Sequence, residues 1–488
     1  MGCYYAAMIR SAQILEQIEK AARTFPARPA LADGTRVLTY SLLWEEAISC
    51  ADLLVATGAA EGQAIGLFFP NSARFVAALL GAARVGCTAI LFPPALTSEE
   101  FRYYCQAAGT QIVLSTPTFR DRLEAAGGRG LGSDASGLVP FGFDSSPGDR
   151  VRQGDFIGQL TSGVDMPPKL AIRTHDAVWN EIRDFTAAIG VTAQDATLVL
   201  SSISHSYGLI GGTLAPLCQG GRVILRDRYK PEEVTQFVAR ERATILYAVP
   251  VTYRAMVTSP LEDPPDLSSL RLCFSAGAPL FRDTEDQFAE RFGRRISQNY
   301  GTTEAGVIST GLEWDVRLRG SVGRPLRNRT IQIMDPHGQL LDPGQIGKVV
   351  VRSPALARTY LEGPQGVPTP IGDCLATGDL GWMSEDGYLF LAGRTSSMIH
   401  LAGLLIDPGE VEEVIGRLPL VREVAVVGVS HPGGDRLKAV LVAEGLTASD
   451  VVQHCRRHLA ESKIPKIVEF RDALPRTPAG KIIRRVLS

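Results

Sequence analysis

Short apolar runs recur along most of the chain at a spacing that leaves room for one helix between them, and this alternation constrains the fold more than any other feature. Residues 64–70 (AIGLFFP) and 89–93 (AILFP) are two such runs, and residues 73–84 between them have helical periodicity. Runs separated by roughly 20 residues are typical of parallel strands joined by crossover helices. The alternation therefore predicts an α/β fold, in which helices cover layered and mostly parallel sheets. Further runs of this kind are residues 111–115, 196–201, 222–225, 243–249, 270–275 and 295–299.

The pattern changes beyond residue 393. Residues 423–429 (EVAVVGV) and 437–444 (LKAVLVAE) predict a pair of strands, and residues 449–460 have one apolar helical face. A segment of roughly a hundred residues can form a small domain with its own core. We therefore predict a large N-terminal domain, 1–393, and a small, mobile α+β C-terminal domain, 394–488. The alternative is that the last segment continues the large domain.

A segment rich in Gly, Ser and Asp, residues 126–155, interrupts the alternation and shows weak periodicity. Such a composition is typical of loops. We expect an exposed connection here, directly before the motif at residues 161–170.

Composition and charge exclude several classes of protein. The chain has 50 Lys and Arg against 52 Asp and Glu, a net charge of −2, which does not indicate a nucleic acid or an anionic membrane as its partner. The most apolar stretch, residues 76–94, is interrupted by Arg84 and Gly86, so we predict no membrane span. The eight cysteines show no zinc-ligand spacing, which favours free thiols in a reducing compartment. Because the N terminus also lacks the apolar core of a signal peptide, we predict a cytoplasmic protein.

Residues 161–170 read TSGVDMPPKL, a composition suited to holding phosphate. A turn of Thr, Ser and Gly after a strand can present backbone N–H groups and hydroxyls to phosphate oxygens, and a lysine can neutralise their charge. On its own the segment is equally compatible with a surface turn. Further motifs follow in order: residues 275–280 (SAGAPL), 300–304 (YGTTE), 321–325 (SVGRP), 377–380 (TGDL), 393–412 and 475–484 (PRTPAGKIIR).

In this order the motifs resemble those of the adenylate-forming superfamily, which comprises acyl-CoA synthetases, adenylation domains of peptide synthetases, and luciferases. The resemblance spans about residues 38–485. It implies two half-reactions, in which a carboxylate first attacks ATP to give acyl-AMP and pyrophosphate, and a thiol then displaces AMP to give a thioester. It also implies that the small domain rotates between them.

The resemblance implies a nucleotide site built from two of these motifs. In SAGAPL, Gly277, Ala278 and Pro279 would lay their backbone against adenine, since small residues permit close approach to a flat base. In YGTTE, Thr303 would bond the α-phosphate, and Glu304 would hold Mg²⁺, a hard cation that prefers oxygen ligands. The other nucleotide-binding residues of that segment are Tyr300, Gly301 and Thr302.

The resemblance also assigns the ribose contacts. Asp379 matches a carboxylate that accepts both ribose hydroxyls, and an ionised acid is the natural bidentate acceptor there. Arg394 matches an arginine that reaches the ribose or a phosphate. The alternative for each is an ordinary solvated surface charge.

Four further positions take roles from the resemblance. Lys481 matches the lysine that bridges the carboxylate of the acid and the α-phosphate during adenylation, where a positive charge stabilises developing negative charge. Ser396 falls at the hinge, where Asp or Lys is usual, and Gly403 matches the glycine that lets a pantetheine arm pass. His205, in SHSYG, matches a histidine or aromatic residue near the acyl pocket; the alternative is a hydrogen-bonded structural histidine.

The phosphate motif departs from the family pattern, TSG-S/T-T-G-x-PKG. Val164 removes a hydroxyl donor, and Met166 brings a side chain where bare backbone should approach the phosphates. Asp165 adds a carboxylate, and two like unit charges ~4 Å apart at an effective dielectric constant of ~20 repel by roughly 4 kcal/mol. The substitutions act on the two phosphates that leave, so we predict weak or absent adenylation. Leu170 replaces the final glycine, and the residues of the pattern that remain are Thr161, Ser162, Gly163, Pro168 and Lys169.

The sequence thus predicts an acyl-CoA-ligase-like enzyme that converts an acyl-adenylate and CoA, or another pantetheine thiol, to an acyl thioester and AMP. The alternatives are a complete two-step ATP-dependent ligase, which the retained Lys481 favours, and a non-catalytic adenylate-binding protein. The expected cofactors are the AMP moiety of the adenylate, ATP if adenylation is retained, Mg²⁺ and CoA. The expected partners are a small carboxylic acid or its adenylate, CoA or a carrier-protein pantetheine, and a separate adenylating enzyme.

The segment that matches the family's acyl pocket favours an uncharged acid. Residues 201–213 (SSISHSYGLIGGT) contain no acidic residue that could pair with the ammonium group of an α-amino acid. We therefore expect an acyl chain or an aryl acid. Gly208, Gly211 and Gly212 either leave volume for a bulky acid or serve helix packing.

Overall fold

The computed structural model describes residues 13–132, 137–146, 150–161, 169–227, 229–259, 265–395, 398–401, 404–430, 436–476 and 482–488. The fold is α/β, as predicted: a large N-terminal part contains sheets and helices, and a small C-terminal part contains a small sheet. In the described residues the helices are α1 Gln13–Thr24, α2 Tyr40–Ala56, α3 Ala73–Val85, α4 Ser98–Ala108, α5 Arg120–Ala125, α6 His175–Ile189, α7 Ala215–Cys218, α8 Pro231–Glu241, α9 Pro250–Thr258, α10 Arg282–Phe292, α11 Pro408–Gly416 and α12 Ala448–His458.

The strands of the described residues are β1 Pro29–Ala32, β2 Val37–Thr39, β3 Ala64–Phe68, β4 Thr88–Phe92, β5 Ile112–Ser115, β6 Arg129–Gly130, β7 Val139–Gly142, β8 Asp155–Leu160, β9 Leu170–Thr174, β10 Ala196–Val199, β11 Arg222–Leu225, β12 Ile245–Ala248, β13 Leu272–Ser275, β14 Ile296–Thr302, β15 Gly306–Thr310, β16 Arg324–Pro325, β17 Thr330–Met334, β18 Gly347–Arg352, β19 Thr359–Glu362, β20 Val367–Pro370, β21 Leu375–Met383, β22 Leu389–Arg394, β23 Ile399–Leu401, β24 Leu404–Ile406, β25 Val421–Val429, β26 Arg436–Ala443 and β27 Ile467–Phe470.

The first large sheet has the strand order β16-β15-β14-β13-β12-β10-β11-β1-β2. Its centre, β11 to β14, is parallel, as the alternation of apolar runs predicts. Ser275 of β13 is paired with Gln298 of β14. The carboxyl ends of these two strands therefore lie side by side, which is where open α/β sheets bind ligands.

The second large sheet has the order β20-β19-β9-β8-β4-β3-β5-β7-β6. Strands β8 and β9 form a hairpin in which Leu160 is paired with Leu170, so the 161–169 connection leaves from one end of this sheet. Strand β19 pairs with β9 along its other edge.

The expected exposed connection at residues 126–155 is wrong in part. Strand β7 pairs antiparallel with β5, and Phe141 within it is fully buried. The short apolar run VPFG forms this strand, although the Gly- and Ser-rich residues around it obscure the signal.

Helix α3 shows why the two large sheets form one core. It is buried on nearly every face, and it begins at an N-cap, Ser72, and ends at Gly86, which has a φ of 77°. A helix that is apolar on all sides belongs in an interior. One hydrophobic cluster joins Phe75 of α3 to Ile65 of one sheet and to Tyr247 of the other.

Two smaller sheets lie later in the chain, one before and one within the C-terminal part. The order β17-β18-β21-β22 makes an antiparallel sheet, and β25-β26-β27 makes the small C-terminal sheet. The predicted strand pair is confirmed, because β25 and β26 pair antiparallel over their length. The boundary at residues 393 and 394 stays a prediction. Among the described residues, no helix combines the length and the apolar character that crossing a membrane requires.

Candidate active site

The two ends of the phosphate motif lie together at the tip of the β8–β9 hairpin. The backbone N–H of Thr161 donates to the carbonyl of Lys169 at 2.8 Å, and the N–H of Lys169 donates to the hydroxyl of Thr161 at 3.0 Å. The hairpin register thus fixes both retained ends of the motif. The predicted loop residues between them, Ser162, Gly163, Val164, Asp165 and Met166, lie outside the described residues.

Lys169 has partners on the neighbouring strand β19. Its Nζ atom is 2.8 Å from Oε1 of Glu362, and 5.0 Å from the ring centroid of Tyr360. Tyr360 and Glu362 are two residues apart in a strand, so their side chains project from the same face. The lysine charge is therefore partly compensated by a carboxylate that the sequence motifs did not indicate.

Tyr360 also contacts the predicted metal ligand. Its hydroxyl donates to Oε1 of Glu304 at 2.8 Å. Burial raises the pKa of Tyr360 and the negative charge of Glu304 raises it further, so this hydroxyl stays a donor. One tyrosine thus contacts both Lys169 and Glu304, and the structure brings together two residues that the resemblance assigns to the phosphates.

The turn that carries Glu304 is tightly held. The N–H of Ala305 donates to the hydroxyl of Thr302 at 3.1 Å, and the N–H of Ala357 donates to the carbonyl of Glu304 at 2.6 Å. Thr303 lies half-buried in the same turn, and Gly301 is exposed at the end of β14. The backbone of the turn is therefore fixed from within and from the segment before β19.

A single carboxylate fits Mg²⁺ in this setting. Mg²⁺ is usually held by one or two carboxylates together with substrate phosphates and waters, rather than by a cage of protein ligands. In the part of the chain that the structure describes, no cluster of three or more His, Cys, Asp or Glu could hold a metal ion. A carboxylate has about four lone pairs, so the hydrogen bond from Tyr360 leaves Glu304 further acceptor capacity.

The predicted adenine-binding segment is an exposed turn after β13. Gly277, Ala278 and Pro279 are all exposed, and Gly277 has a φ of 88°, a conformation that favours glycine. A Cβ placed on Gly277 would meet no atom within 4 Å, so there is open space above the backbone. Tyr300 lies beside this turn at the end of β14. The arrangement leaves a flat base free to approach the backbone.

The predicted ribose site is assembled around Asp379. The hydroxyl of Tyr300 donates to Oδ2 of Asp379 at 2.7 Å, and Nε of Arg394 is 3.1 Å from Oδ1. The β21–β22 register pairs Asp379 with Arg394 directly. Burial raises the pKa of Tyr300 and the charge of Asp379 raises it further, so the phenol stays a donor. Each carboxylate oxygen keeps a lone pair for a further hydroxyl.

His205 lies half-buried in the loop after β10. This loop is tied to β8: Ser206 donates to Oε1 of Gln159 at 2.6 Å, and Nε2 of Gln159 donates to the carbonyl of Ser204 at 3.1 Å. Because Gln159 comes two residues before Thr161, the SHSYG segment and the phosphate motif share a support. Sequence analysis missed Gln159. The available signal was an amide side chain within the largely apolar run of residues 155–160 (DFIGQL), and the structure buries this side chain fully.

The glycines after His205 serve packing. They belong to a π-helix, Tyr207–Leu214. A Cβ on Gly208 would lie 2.6 Å from the carbonyl of Ser202, and one on Gly211 would lie 3.2 Å from the hydroxyl of Tyr247. Of the two interpretations of these glycines, the structure favours close helix packing over spare volume.

Three predicted residues, Lys481, Ser396 and Gly403, lie outside the described residues. The segments on either side of Lys481 meet, because Arg476 and Ile482 form an isolated β-bridge. The C-terminal end of this motif is held by an ion pair between Arg484 and Glu412 at 2.9 Å.

Comparison with known proteins agrees with these features. The chain matches the family model "AMP-binding enzyme" over residues 18–361 and the model "AMP-binding enzyme C-terminal domain" over residues 410–481. A feruloyl-CoA synthase from an Amycolatopsis species is 30% identical over 472 residues, which cover 95% of this chain and 96% of that protein. A long-chain-fatty-acid–CoA ligase from Yersinia pestis is 28% identical, with 98% of this chain and 94% of that protein covered.

A solved structure is also similar to this chain over nearly its whole length. ATP-bound MatB from Rhodopseudomonas palustris is 27% identical, covers 98% of each chain and has a TM-score of 0.82. The two domain models together cover residues 18–361 and 410–481, and each of the relatives and this structure matches more than nine-tenths of the chain. The chain therefore belongs to the AMP-binding enzyme family and is an acid–thiol ligase of the acyl-CoA synthetase type within the adenylate-forming superfamily.

Proposed function

We propose that the protein is a complete ATP-dependent ligase, which converts a carboxylic acid, ATP and CoA to acyl-CoA, AMP and pyrophosphate. The observation that carries the proposal is the contact of Tyr360 with both Glu304 and Lys169, since it supports a phosphate side that is still organised for adenylation. The names of the relatives agree, because a feruloyl-CoA synthase and a long-chain-fatty-acid–CoA ligase both form CoA thioesters from free acids.

In the first half-reaction a carboxylate oxygen of the acid forms a bond to the α-phosphorus of ATP, and the bond to pyrophosphate breaks. Asp379 accepts the ribose hydroxyls, with Arg394 and Tyr300 keeping its carboxylate in place. Glu304 would hold Mg²⁺, which when bound would neutralise phosphate charge, and Thr303 would bond the α-phosphate. Lys481 stabilises the charge that develops between the acid and the α-phosphate.

In the second half-reaction the CoA thiol forms a bond to the acyl carbon, AMP leaves, and the thiol proton passes to solvent. We assign Gly403 to the passage of the pantetheine arm and Ser396 to the hinge about which the small domain, 394–488, rotates. His205 borders the acyl pocket. The substrate is an uncharged acyl chain or aryl acid, since residues 201–213 contain no acidic residue.

A second candidate is an enzyme restricted to thioester formation from an acyl-adenylate that another enzyme supplies. The residues Val164, Asp165 and Met166, which depart from the family pattern, favour it, because we expect them to act mainly against the leaving pyrophosphate. In that case the acceptor is CoA or a carrier-protein pantetheine. A non-catalytic adenylate-binding protein is a third class.

The test compares the two half-reactions in one preparation. ATP–pyrophosphate exchange is measured with a panel of aryl acids, ferulate included, and fatty acids; thioester formation is measured from the corresponding synthetic acyl-AMP and CoA. We expect both activities with the same acid. Thioester formation without exchange would select the restricted enzyme, and neither activity with any acid would select the adenylate-binding protein.

A loop variant sharpens this test. The triple substitution Val164→Ser, Asp165→Thr and Met166→Gly restores the S/T-T-G part of the family pattern, and we expect it to raise the exchange rate about tenfold, which corresponds to about 1.4 kcal/mol. Its control is Asp144→Asn, which removes an exposed carboxylate that is paired with Arg129. An unchanged exchange rate in the folded triple variant would show that the loop does not limit adenylation.

A further inference from the structure

A buried ion pair lies under the turn that carries Glu304. The Nη2 atom of Arg173 is 2.7 Å from Oε2 of Glu181, and the two side chains are 0% and 1% exposed. Arg173 belongs to β9 and Glu181 to α6, the two elements that directly follow the phosphate motif. A pair this deeply buried needs further hydrogen bonds to offset its desolvation. The hydrogen-bond partners of the pair therefore show which backbone segments it holds in place.

Glu181 holds one end of the turn. Its Oε1 atom accepts the N–H of Val307 at 2.9 Å. Gly306, with a φ of 63°, has its missing side chain directed at the same carboxylate, since a Cβ there would lie 2.0 Å from Oε2 of Glu181. The backbone can approach this closely only at glycine. The carboxylate therefore fixes the residues that follow Glu304.

Arg173 holds the segment that contacts Glu304 from the other side. Its Nη2 atom donates to the carbonyl of Ala355 at 2.9 Å. Two residues later the N–H of Ala357 donates to the carbonyl of Glu304 at 2.6 Å, and further along Tyr360 donates to the Glu304 carboxylate. One ion pair thus anchors both backbone segments that determine where the Glu304 carboxylate lies.

We propose that Arg173 and Glu181 are positioning residues for adenylation, which set the place of the Glu304 carboxylate through Val307 and Ala355. The proposal rests on the proposed function, because that function assigns Mg²⁺ binding to Glu304. Among the described residues, the hydrogen bonds of the pair go to Val307 and to backbone carbonyls, and none goes to a predicted nucleotide-binding side chain. Adenylation requires the metal ligand in place, whereas thioester formation from a preformed adenylate releases no pyrophosphate, so the pair acts selectively on the first half-reaction.

A second buried pair on the same helix provides a matched control. Asp184 is three residues after Glu181 in α6, and its Oδ2 atom is 3.1 Å from Nη1 of Arg329, with side chains 2% and 0% exposed. The hydrogen bonds of Asp184 are with Arg183, Asn328 and Arg329, and among the described residues none of them reaches Val307 or Ala355. The charge of Arg329 also acts on Glu181, so the control changes Asp184 and keeps Arg329.

The experiment uses three variants of the full chain. Arg173→Met with Glu181→Leu removes both tethers without leaving a buried charge. Arg173→Met with Glu181→Gln restores only the acceptor for Val307. Asp184→Asn alone is the control, since it weakens a buried ion pair on α6 and keeps Arg329 beside Glu181. A misplaced catalytic group can cost on the order of 100-fold, so we expect the first variant to lower the exchange rate about 10- to 100-fold and to need more Mg²⁺ for half-maximal rate. The rate of thioester formation from acyl-AMP should change by no more than about twofold, because this half-reaction releases no pyrophosphate.

The Gln variant and the control show whether the loss is specific to the positioning of Glu304. We expect the Gln variant to recover much of the exchange rate, and the control to change both half-reactions by the same factor. Equal losses in both half-reactions for the Arg173 and Glu181 variants, or a control that reproduces the selective loss, would overturn the proposal.

Hydrogen–deuterium exchange separates this inference from the proposed function. Peptides that cover residues 300–310 should exchange faster in the variant with Met and Leu than in the wild type, and no faster in the control. If the wild type shows no ATP–pyrophosphate exchange, the proposed function fails and this readout still applies. Unchanged protection of residues 300–310 would contradict the positioning role whatever the activity. A variant that does not fold is replaced by the single substitution Glu181→Gln in the same measurement.

Discussion

The ribose side and the phosphate side of the candidate site are built in different ways. On the ribose side, Tyr300 and Arg394 contact the two oxygens of Asp379 at 2.7 and 3.1 Å. All three residues lie in strands, and the β21–β22 register places Asp379 opposite Arg394. Strand register fixes these groups, so this side depends little on any loop.

The phosphate side depends on a loop and on partners from another strand. Lys169 is paired with Glu362, and Tyr360 of the same strand contacts Glu304. Between Thr161 and Lys169 the sequence departs from the family pattern. The predicted departures therefore lie in the segment that the resemblance assigns mainly to the leaving pyrophosphate, and the predicted ribose contacts lie outside it. The two half-reactions should consequently respond differently to mutations on the two sides.

The largest effect is expected on the ribose side, from Asp379→Ala. Each hydrogen bond to a charged group contributes about 1.5–3 kcal/mol, so the loss of two lowers both half-reactions by at least about 100-fold. Exchange and thioester formation are measured side by side. Asp386→Asn, an exposed acid at the tip of the same hairpin, is the control. A loss confined to one half-reaction would break the comparison.

A medium effect is expected from pH on the stability of the protein, through His175 at the start of helix α6. His175 begins α6, and burial lowers its pKa from 6.5 to about 4, although Asp176 and Asp155 act in the opposite direction. Below pH 6.5 the unfolded chain binds a proton that the folded protein does not, so stability falls as the pH falls from 6.5 towards 4. Between pH 7 and pH 5 this amounts to roughly 2 kcal/mol.

Denaturant unfolding at pH 7 and pH 5 checks this expectation. The variant His175→Gln lacks the titrating group and should lose about 2 kcal/mol less stability than the wild type over that interval. Equal losses in both proteins would place the pH sensitivity elsewhere.

The smallest effect is expected from Glu362→Gln. This change frees Lys169 from an ion pair whose side chains are 41% and 37% exposed, and exposed pairs contribute little. We expect the KM for ATP to fall about twofold to threefold, with thioester formation from acyl-AMP unchanged. Glu444→Gln, which removes the exposed partner of Arg422, is the control. A raised KM for ATP would mean that Glu362 itself serves the phosphate side.

Sequence periodicity predicted the scaffold well, because strand and helix patterns are local. The apolar run at residues 222–225 coincides with β11, and the predicted helix at residues 73–84 is α3. The ribose-side residues were predicted from ordered motifs, and the strand register then brought Tyr300, Asp379 and Arg394 together.

The contacts of the phosphate side could not be predicted in the same way. Tyr360 and Glu362 meet Lys169 only because β19 pairs with β9, a pairing between strands far apart in sequence. Local patterns do not determine such a register. The anchoring role of Glu181 could not be predicted for a similar reason. A glutamate on a helix is usually exposed, and only the structure shows that Gly306 and Val307 pack against this one.

The most direct test of a complete ligase with separable nucleotide sides is the Mg²⁺ dependence of ATP–pyrophosphate exchange in the wild type and in Glu304→Gln. Glutamine can still accept the hydrogen bond from Tyr360 but removes the charge that we propose binds the metal. The account predicts Mg²⁺-dependent exchange in the wild type, an exchange rate at least about tenfold lower in the variant, and nearly equal rates of thioester formation from acyl-AMP. A wild type without exchange, or a variant that loses both half-reactions alike, would contradict it.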